Sequence, residues 1–236
     1  MDLYDFIWKR KSTRQYDLAP LDEEQLHRIE QFAKVLKPLF FDFETAWEIT
    51  AGVKGITALD APHYIAVSSE EGDGYLENVG FMFQQMDLFL SSEGLGSCWF
   101  GAAKTPSGLK SGLRYVITLA FGKAEESPWR ELSGFKRKPL YDISSGSDER
   151  IEAARLAPSA VNFQNWFFAA ENGRIDVFRK KTLLATQRHF GDFSKIDIGI
   201  ALCHLYIATE YFGKEFVFTK EEGKEKKGHV YVGTVD

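Results

Sequence analysis

Basic and hydroxyl side chains alternate in a short segment near the N-terminus. Arg10, Ser12 and Arg14 stand at every second position, with Lys11 between the first two. Alternate side chains of an extended segment point the same way, so two guanidinium groups and a hydroxyl could surround one phosphate. An arginine fork donates two parallel hydrogen bonds to a phosphate, which makes it a stronger ligand than a point charge. A solvated basic turn is the alternative, and this segment alone favours the turn.

Two later segments could also contact a ligand. The segment 157–166 combines small residues with a proline that interrupts a helix, so its backbone could approach a bound molecule closely. Ser159 and Asn162 could form hydrogen bonds there. A second basic cluster, Lys136-Arg137-Lys138, precedes Pro139. Taken separately, the first segment is typical of a loop that ends a helix, and the second is typical of a surface loop.

Other kinds of site have little support in the sequence. Gly94-Leu95-Gly96 closes a predicted helix, whereas the dinucleotide fingerprint opens one. The five histidines form no ligand pair at helical spacing, and no nucleophile elbow surrounds a serine. Cys98, Cys203 and His204 are expected to be buried core residues. Because no metal site and no side-chain catalyst emerges, a bound cofactor that performs the chemistry fits better.

Composition excludes several classes of protein. The 236 residues are 44% hydrophobic and 27% charged, which argues against disorder and coiled coils. A net charge of −5 argues against a general nucleic-acid binder. A count of only two cysteines excludes a disulfide scaffold. The sequence has no run of eighteen apolar residues, so no membrane span is predicted. We therefore expect a soluble, reduced, cytoplasmic protein without a secretory signal.

Hydrophobic spacing predicts helices and strands in alternation along the chain. Arg188 and His189 are expected in a surface turn, and 123–147 is expected to be irregular. One predicted helix begins after the N-cap Asp22 and ends before Pro38. The other predicted helices cover 2–10, 76–90, 148–156 and 196–212. Predicted strands cover 41–49, 63–68, 115–121, 166–170, 175–178 and 230–235, the fourth and fifth as a hairpin around Asn172-Gly173.

The order helix, strand, long helix, strand occurs twice. One offset of 119 residues separates three pairs, namely Gly80 and Gly199, Gly94 and Gly213, and Asn78 and Asp197. The repetition predicts a diverged internal duplication with halves of about 1–145 and 146–236. Since no long linker separates the halves, we expect them to pack as a single domain over 1–236.

Taken together, these segments resemble the FMN-dependent nitroreductase family. Residues 10–16 look like the family's Arg-Arg-Ser-x-Arg-x-Phe phosphate motif, and 157–166 is similar to its Ala-Pro-Ser-x-x-Asn-x-Gln-Pro-Trp segment. Residues 94–101 look like Gly-Leu-Gly-x-x-Trp-x-Gly. Residues 121–123 and 136–140 resemble the family's late strand and its basic Lys-Arg-x-Pro-Leu tail. The resemblance implies an α+β, nitroreductase-like fold.

The motif order departs from the family. The Pro-Ser-Asn segment usually comes early, but here it follows the basic tail, and Asn165 stands where the family has proline. Family members are usually dimers in which one subunit holds the FMN phosphate and the other supplies the Pro-Ser-Asn loop. This leads to the hypothesis that the chain is such a dimer fused into one polypeptide, a pseudo-dimer. It would bind one FMN per chain, and a monomer would suffice.

The resemblance also implies roles for particular residues. The basic motifs would bind the phosphate and ribityl chain, and the other two motifs would contact the flavin ring and its N5 edge. The cofactor-binding residues would be Arg10, Lys11, Ser12, Arg14, Phe100, Gly101, Ala102, Lys136, Arg137, Pro158, Ser159, Ala160 and Asn162.

The implied activity is an NAD(P)H-dependent flavin oxidoreductase. NADH or NADPH would supply a hydride through the flavin to a nitroaromatic, a quinone or another electron-poor acceptor. A flavin-binding carrier or sensor without turnover is one alternative. A degenerate family member that binds a different flat ligand is another. A nucleic-acid or nucleotide binder that uses the two basic clusters fits the acidic balance least.

Overall fold

The computed structural model describes residues 2–55, 59–107, 109, 112–181 and 184–236, with 184–192 described by their backbone alone. Within these residues the helices are α1 (Tyr4–Ile7), α2 (Glu23–Ala33), α3 (Tyr75–Ser92), α4 (Leu140–Ile143), α5 (Arg150–Arg155) and α6 (Leu184–Tyr211). The strands are β1 (Thr45–Thr50), β2 (His63–Ser69), β3 (Gly96–Phe100), β4 (Arg114–Gly122), β5 (Ser144–Ser145), β6 (Trp166–Glu171), β7 (Arg174–Lys180), β8 (Phe218–Thr219) and β9 (His229–Val235).

The strands form two sheets. The first has the order β1-β2-β4-β3 and is antiparallel throughout. The second has the order β5-β6-β7-β9-β8 and is antiparallel except for the short β5–β6 pair. Each sheet thus belongs to one half of the chain, apart from the two residues of β5 at the boundary.

The two long helices cross at a pair of glycines. A Cβ atom on Gly80 of α3 would lie 2.1 Å from the carbonyl oxygen of Ile196, and one on Gly199 of α6 would lie 1.9 Å from that of Glu77. Both distances are far shorter than any van der Waals contact, so glycine is required on each helix. The crossing brings the middle of α6 against the first turns of α3 and joins the two halves.

Several predicted elements are confirmed. The long helix, β2, β4 and the final strand lie within two residues of the expected bounds. The β6–β7 hairpin turns at Asn172 and Gly173, whose φ angles of 52° and 80° are those that a type I′ turn requires. The buried ring of His204 is hydrogen-bonded, with Nδ1 2.8 Å from the carbonyl oxygen of Ala153. Cys98 and Cys203 are free and buried.

The N-cap of α2 is also confirmed. Oδ1 of Asp22 accepts a hydrogen bond of 2.7 Å from the Gln25 amide, and Oε1 of Gln25 accepts one of 3.4 Å from the Asp22 amide. We expect Asp22→Ala to lower the free energy of unfolding by about 1 kcal/mol, because the helix loses a capped backbone donor. Urea denaturation would measure the loss. Glu30→Ala on the same helix is the control, and an equal effect of both variants would contradict the capping role.

Five expectations were wrong in detail. The segment 123–147, expected to be irregular, contains α4 and β5. The first helix ends at Ile7, not at 10, because Arg10 already pairs with Trp129 in an antiparallel bridge. The strand expected at 41–49 is β1, which begins only at Thr45. The alternating pattern placed the start too early because Phe41, taken for a buried strand residue, is 88% exposed.

The other two corrections concern one strand and one helix. β3 was not predicted, since it has no alternating pattern and follows the long helix directly. α6 begins at Leu184, twelve residues before the predicted start, because the apolar spacing begins only at Ile196. Arg188 and His189 therefore lie in a helix, not in a turn, and their side chains lie outside the described residues. Among the described residues, no helix is both long and apolar enough to span a membrane.

Candidate cofactor site

A cavity of about 640 Å³ lies between the two halves of the chain. Its volume falls within the range of small-molecule sites. One wall consists of Ser12, Arg14, Leu59, residues 98–102 and Ile117. The opposite wall consists of residues 158–161 together with Phe193, Ile196, Asp197 and Ile200 of α6. The cavity therefore brings together three motifs that are far apart in the sequence.

The N-terminal basic segment is held in extended form along β3. Ser12 pairs with Ser97 in a parallel bridge, and the Thr13 amide donates a 2.9 Å hydrogen bond to the Ser97 carbonyl. The Thr13 side chain fills the space above Gly96, where a Cβ atom would lie 2.6 Å from its Oγ1. The hydroxyl of Tyr16 donates to the Thr13 carbonyl at 2.8 Å. Ser12 and Arg14, on either side of Thr13, consequently face the cavity.

Arg10 does not line the cavity but lies behind it. Its side chain is 1% exposed, and Nε is 2.9 Å from Oδ2 of the buried Asp87. The contact is an ion pair without hydrogen-bond alignment, because among the described residues neither Nε nor Nη1 has an acceptor in a suitable direction. Nη2 donates to Oγ of Ser12 at 3.2 Å, and Oδ1 of Asp87 accepts from Oγ of Ser97 at 2.6 Å. Arg10 thus orients Ser12.

The basic tail reaches the site through its contacts with the 157–166 segment. Nη1 of Arg137 donates to Oδ1 of Asn162 at 2.9 Å, and its Nε and Nη2 donate to the carbonyl of Leu156. Nδ2 of Asn162 donates to the carbonyl of Lys136 at 2.8 Å. The side chain of Lys136 is exposed. Asn162 and Arg137 therefore tie the two segments together and do not line the cavity.

Lys11 faces a smaller neighbouring hollow of about 200 Å³, which Ser12 and Arg14 also line. Its Nζ lies 3.7 Å from Oε2 of the exposed Glu126. Lys11 is thus beside the basic segment but outside the main cavity.

Guanidinium groups outnumber carboxylates at this end of the site. Burial, together with the charges of Arg10 and Arg130, lowers the pKa of Arg137 to about 9. Burial lowers the pKa of Arg130 to about 10, with Arg10 and Arg14 adding to the effect and Asp87 opposing it. The four cations are Arg10, Arg14, Arg130 and Arg137, and the one carboxylate among them is Asp87. Since the cations repel one another, the region is suited to a multiply charged anion.

Sequence reasoning missed Arg130. The backbone brings it to the site, since the Arg130 amide donates a 2.8 Å hydrogen bond to the Lys9 carbonyl beside the Arg10–Trp129 bridge. This pairing joins segments about 120 residues apart, and no local motif signals it.

The second wall has an unusual backbone conformation. Val161, Asn162 and Gln164 have φ angles of 43°, 60° and 50°. Such angles are uncommon outside glycine and persist where surrounding contacts fix them. Here the Gln164 amide donates to Oγ of Ser159 at 3.0 Å, and the Ala160 amide donates to Oδ1 of Asp197 at 2.9 Å. Pro158, Ser159 and Ala160 are therefore fixed against the cavity.

Apolar groups line the space between the walls. Phe100, Gly101, Ala102 and Phe193 are among them. A Cβ atom on Gly101 would lie 2.8 Å from Cε1 of Phe193, so the aromatic ring packs directly on that backbone. Phe193 was missed because it precedes the region of α6 with regular apolar spacing.

Asp197 was also missed as a site residue. It is 4% exposed, and burial raises its pKa to about 8, with the Ala160 amide acting in the opposite direction. The carboxyl group is therefore mostly neutral at pH 7. Its offset pairing with Asn78 was the only sequence signal.

A family model described as "Putative TM nitroreductase" matches residues 2–209, which is most of the chain. The chain belongs to the nitroreductase family. The α+β nitroreductase-like fold that the motifs predicted is confirmed.

Solved nitroreductase structures resemble this one. A structure described as a putative nitroreductase from Thermotoga maritima MSB8 has a TM-score of 0.71 at 23% identity, over 100% of this chain and 93% of that chain. A nitroreductase family protein from Clostridium difficile 630 has a TM-score of 0.49 at 20% identity, over 63% of this chain and 99% of its own. An FMN-dependent nitroreductase from Clostridium difficile R20291 has a TM-score of 0.43 at 16% identity, over 53% and 88%. No curated protein sequence matches this chain.

Proposed function

We propose that this protein binds FMN and passes a hydride from NADH or NADPH through the flavin to a nitroaromatic, quinone or similar electron-poor acceptor. The observation that carries the proposal is the polarity of the cavity. Ser12 and Arg14 line one end, with the guanidinium groups of Arg10, Arg130 and Arg137 nearby but outside the lining, and the other end is lined by apolar side chains and fixed backbone. FMN has the same two ends, a phosphate of about −1.5 to −2 charges and a flat ring.

Unpartnered donors support the fit to a phosphate. Within the described part of the chain, Arg10 Nη1 and Arg130 Nε are buried without a hydrogen-bond acceptor. Leaving such a charged donor unpaired is costly, and a phosphate bound at Ser12 and Arg14 would place a negative charge close to both guanidinium groups. Ser12 and Arg14 would bind the same group from the cavity side. Arg137 and the exposed Lys136 would close the site through the tail that Asn162 holds.

The other wall would position the ring. Residues 100–102 and 158–160 would lie on its two sides or edges, and Phe193 would exclude water from part of the cavity. The bound flavin would supply the hydride chemistry. The chain would hold the two reactants in one orientation, which is where the protein contributes to such reactions.

We also infer that the two halves are the fused subunits of an ancestral dimer. Asn78 holds the amides of Leu39 and Phe40 as Asp197 holds that of Ala160. At the crossing of α3 and α6, Gly80 of the first half and Gly199 of the second occupy equivalent positions, each against the backbone of the other helix. The phosphate motif lies in the first half and the Pro-Ser-Ala loop in the second, so each chain would have one complete site.

Titration of the apoprotein with FMN tests the binding site and the fusion together. We expect saturation at one FMN per chain and the absorption spectrum of a bound flavin. The complex should have the mass of a monomer, because a single chain is sufficient for binding. Two FMN per chain would contradict the fused-dimer inference. No flavin binding at all would contradict the FMN site and would favour a different flat ligand.

Anaerobic addition of a reduced nicotinamide tests the activity. NADH or NADPH should bleach the flavin absorbance of the holoprotein, and a quinone added afterwards should restore it. A bound flavin that neither nicotinamide reduces would show a carrier or sensor instead of an enzyme.

A further inference from the structure

Asp197 is a buried acid that lines the cavity. Ile196 and Ile200, its neighbours on α6, line the cavity as well. Two other described titratable residues line the cavity, Arg14 and Cys98, and Glu77 on α3 packs against Gly199, two residues further along α6. None of them contributes to the pKa shift of Asp197, which comes from burial against the one hydrogen bond of Ala160.

The other half of the chain shows what the position needs structurally. Asn78 precedes Asp197 by the offset that relates the two halves, and its Oδ1 accepts hydrogen bonds of 2.8 Å and 3.0 Å from the amides of Leu39 and Phe40. That loop follows Pro38 as the Ala160 loop follows Pro158. An amide oxygen is therefore sufficient to hold a loop of this kind. A carboxyl group at 197 differs from that amide in being ionisable, and its raised pKa leaves an exchangeable proton beside the cavity at pH 7.

We propose that Asp197 donates the proton that a bound acceptor takes up when it is reduced. This role rests on the proposed function. With a quinone, the acceptor gains a hydride that originates from NAD(P)H and one proton. The O–H bond of Asp197 breaks as a new O–H bond forms on the quinone oxygen, and the C=O π bond opens to give the hydroquinone. The carboxylate then regains a proton from solvent.

Asp197→Asn tests the role because it keeps the oxygen that holds the Ala160 amide. The variant should bind FMN and react with NAD(P)H as the wild type does, each within about threefold. Its rate of reoxidation by benzoquinone at pH 7 should fall by about 100-fold, the lower end of the usual contribution of a general acid. Stopped-flow absorbance of the anaerobically reduced holoprotein separates the two half-reactions.

The pH profile gives a second readout. In the wild type the reoxidation rate should fall about tenfold per pH unit above pH 8, because the acid form disappears there. In Asp197→Asn the rate should not depend on pH over this range. Asn78→Asp is the matched control, since it places a carboxyl group at the corresponding position away from the cavity, and its profile should equal that of the wild type. Asp197→Glu should recover part of the rate.

A spectroscopic measurement is independent of turnover. ¹³C NMR of protein labelled at the aspartate carboxyl carbons should show one resonance that titrates near pH 8 and is absent from Asp197→Asn. Wild-type reoxidation kinetics in Asp197→Asn, with the same pH profile, would overturn the proposal and leave Asp197 a loop-holding residue. A wild-type flavin that no nicotinamide reduces would instead contradict the proposed function.

Discussion

Arg14→Ala is expected to weaken FMN binding by about 30-fold to several thousand-fold. Bound FMN would cover Arg14, and removing one partner of a buried, hydrogen-bonded charge pair costs about 2 to 5 kcal/mol, where each 1.4 kcal/mol corresponds to a factor of ten. Arg14 is exposed at the cavity and forms no salt bridge with another described residue, so its charge is available to a ligand. For the same reason its removal should leave the fold unchanged. Quenching of flavin fluorescence during titration would measure the affinity.

Arg28→Ala is the matched control for Arg14→Ala. It makes the same change in net charge at an exposed arginine of α2, which pairs with Glu24 and Glu93 and does not line the cavity. Its FMN affinity should stay within about threefold of the wild type, since a distant exposed charge is screened by salt. If Arg14→Ala also bound FMN normally, the phosphate would have to lie elsewhere.

Gly199→Ala is expected to prevent α3 and α6 from packing and to abolish the native fold. The new methyl group would lie 1.9 Å from the Glu77 carbonyl oxygen and 2.8 Å from the Phe81 amide nitrogen, both of them backbone atoms. Overpacking a core costs about 1 to 3 kcal/mol where side chains can move, and here whole helices must separate. That loss is a large part of the stability of an ordinary domain. Urea denaturation followed by circular dichroism would measure it.

Gly134→Ala provides the comparison for Gly199→Ala. A Cβ atom there would meet only the Arg130 side chain, at 3.6 Å, which is ordinary contact. Its unfolding midpoint should stay close to that of the wild type. Gly80→Ala should behave like Gly199→Ala, because it meets the Ile196 carbonyl at 2.1 Å. A Gly199→Ala protein with wild-type stability would show that the helices can separate at little cost.

The parts of the site that could be predicted are those whose residue types carry local information. Two segments are of this kind, the alternating cations and hydroxyl at 10–14 and the small residues around Pro158. Their contacts depend on the local backbone, so the sequence itself indicates what they can contact. Their order in the chain departs from the family, yet the fold places them on opposite walls of one cavity. The arrangement depends on the crossing at Gly80 and Gly199, which the shared offset paired without indicating that the two helices meet there.

The parts that could not be predicted depend on distant pairings. Arg130 reaches the site through a backbone bridge to the N-terminal segment, and β3 forms because β4 provides its partner. Asp197 lies in a strongly apolar helix, where a single acid is easily taken for a surface position. Its burial follows from the packing of α6 against the Ala160 loop, which no local pattern reveals.

Both walls of the cavity belong to one polypeptide, and this has a consequence for behaviour at low abundance. A site shared between separate subunits is lost on dilution below the dissociation constant of the dimer. Here the two walls are covalently linked, so the effective concentration of one wall around the other does not depend on the protein concentration. Serial dilution should therefore leave the fraction of assembled sites unchanged.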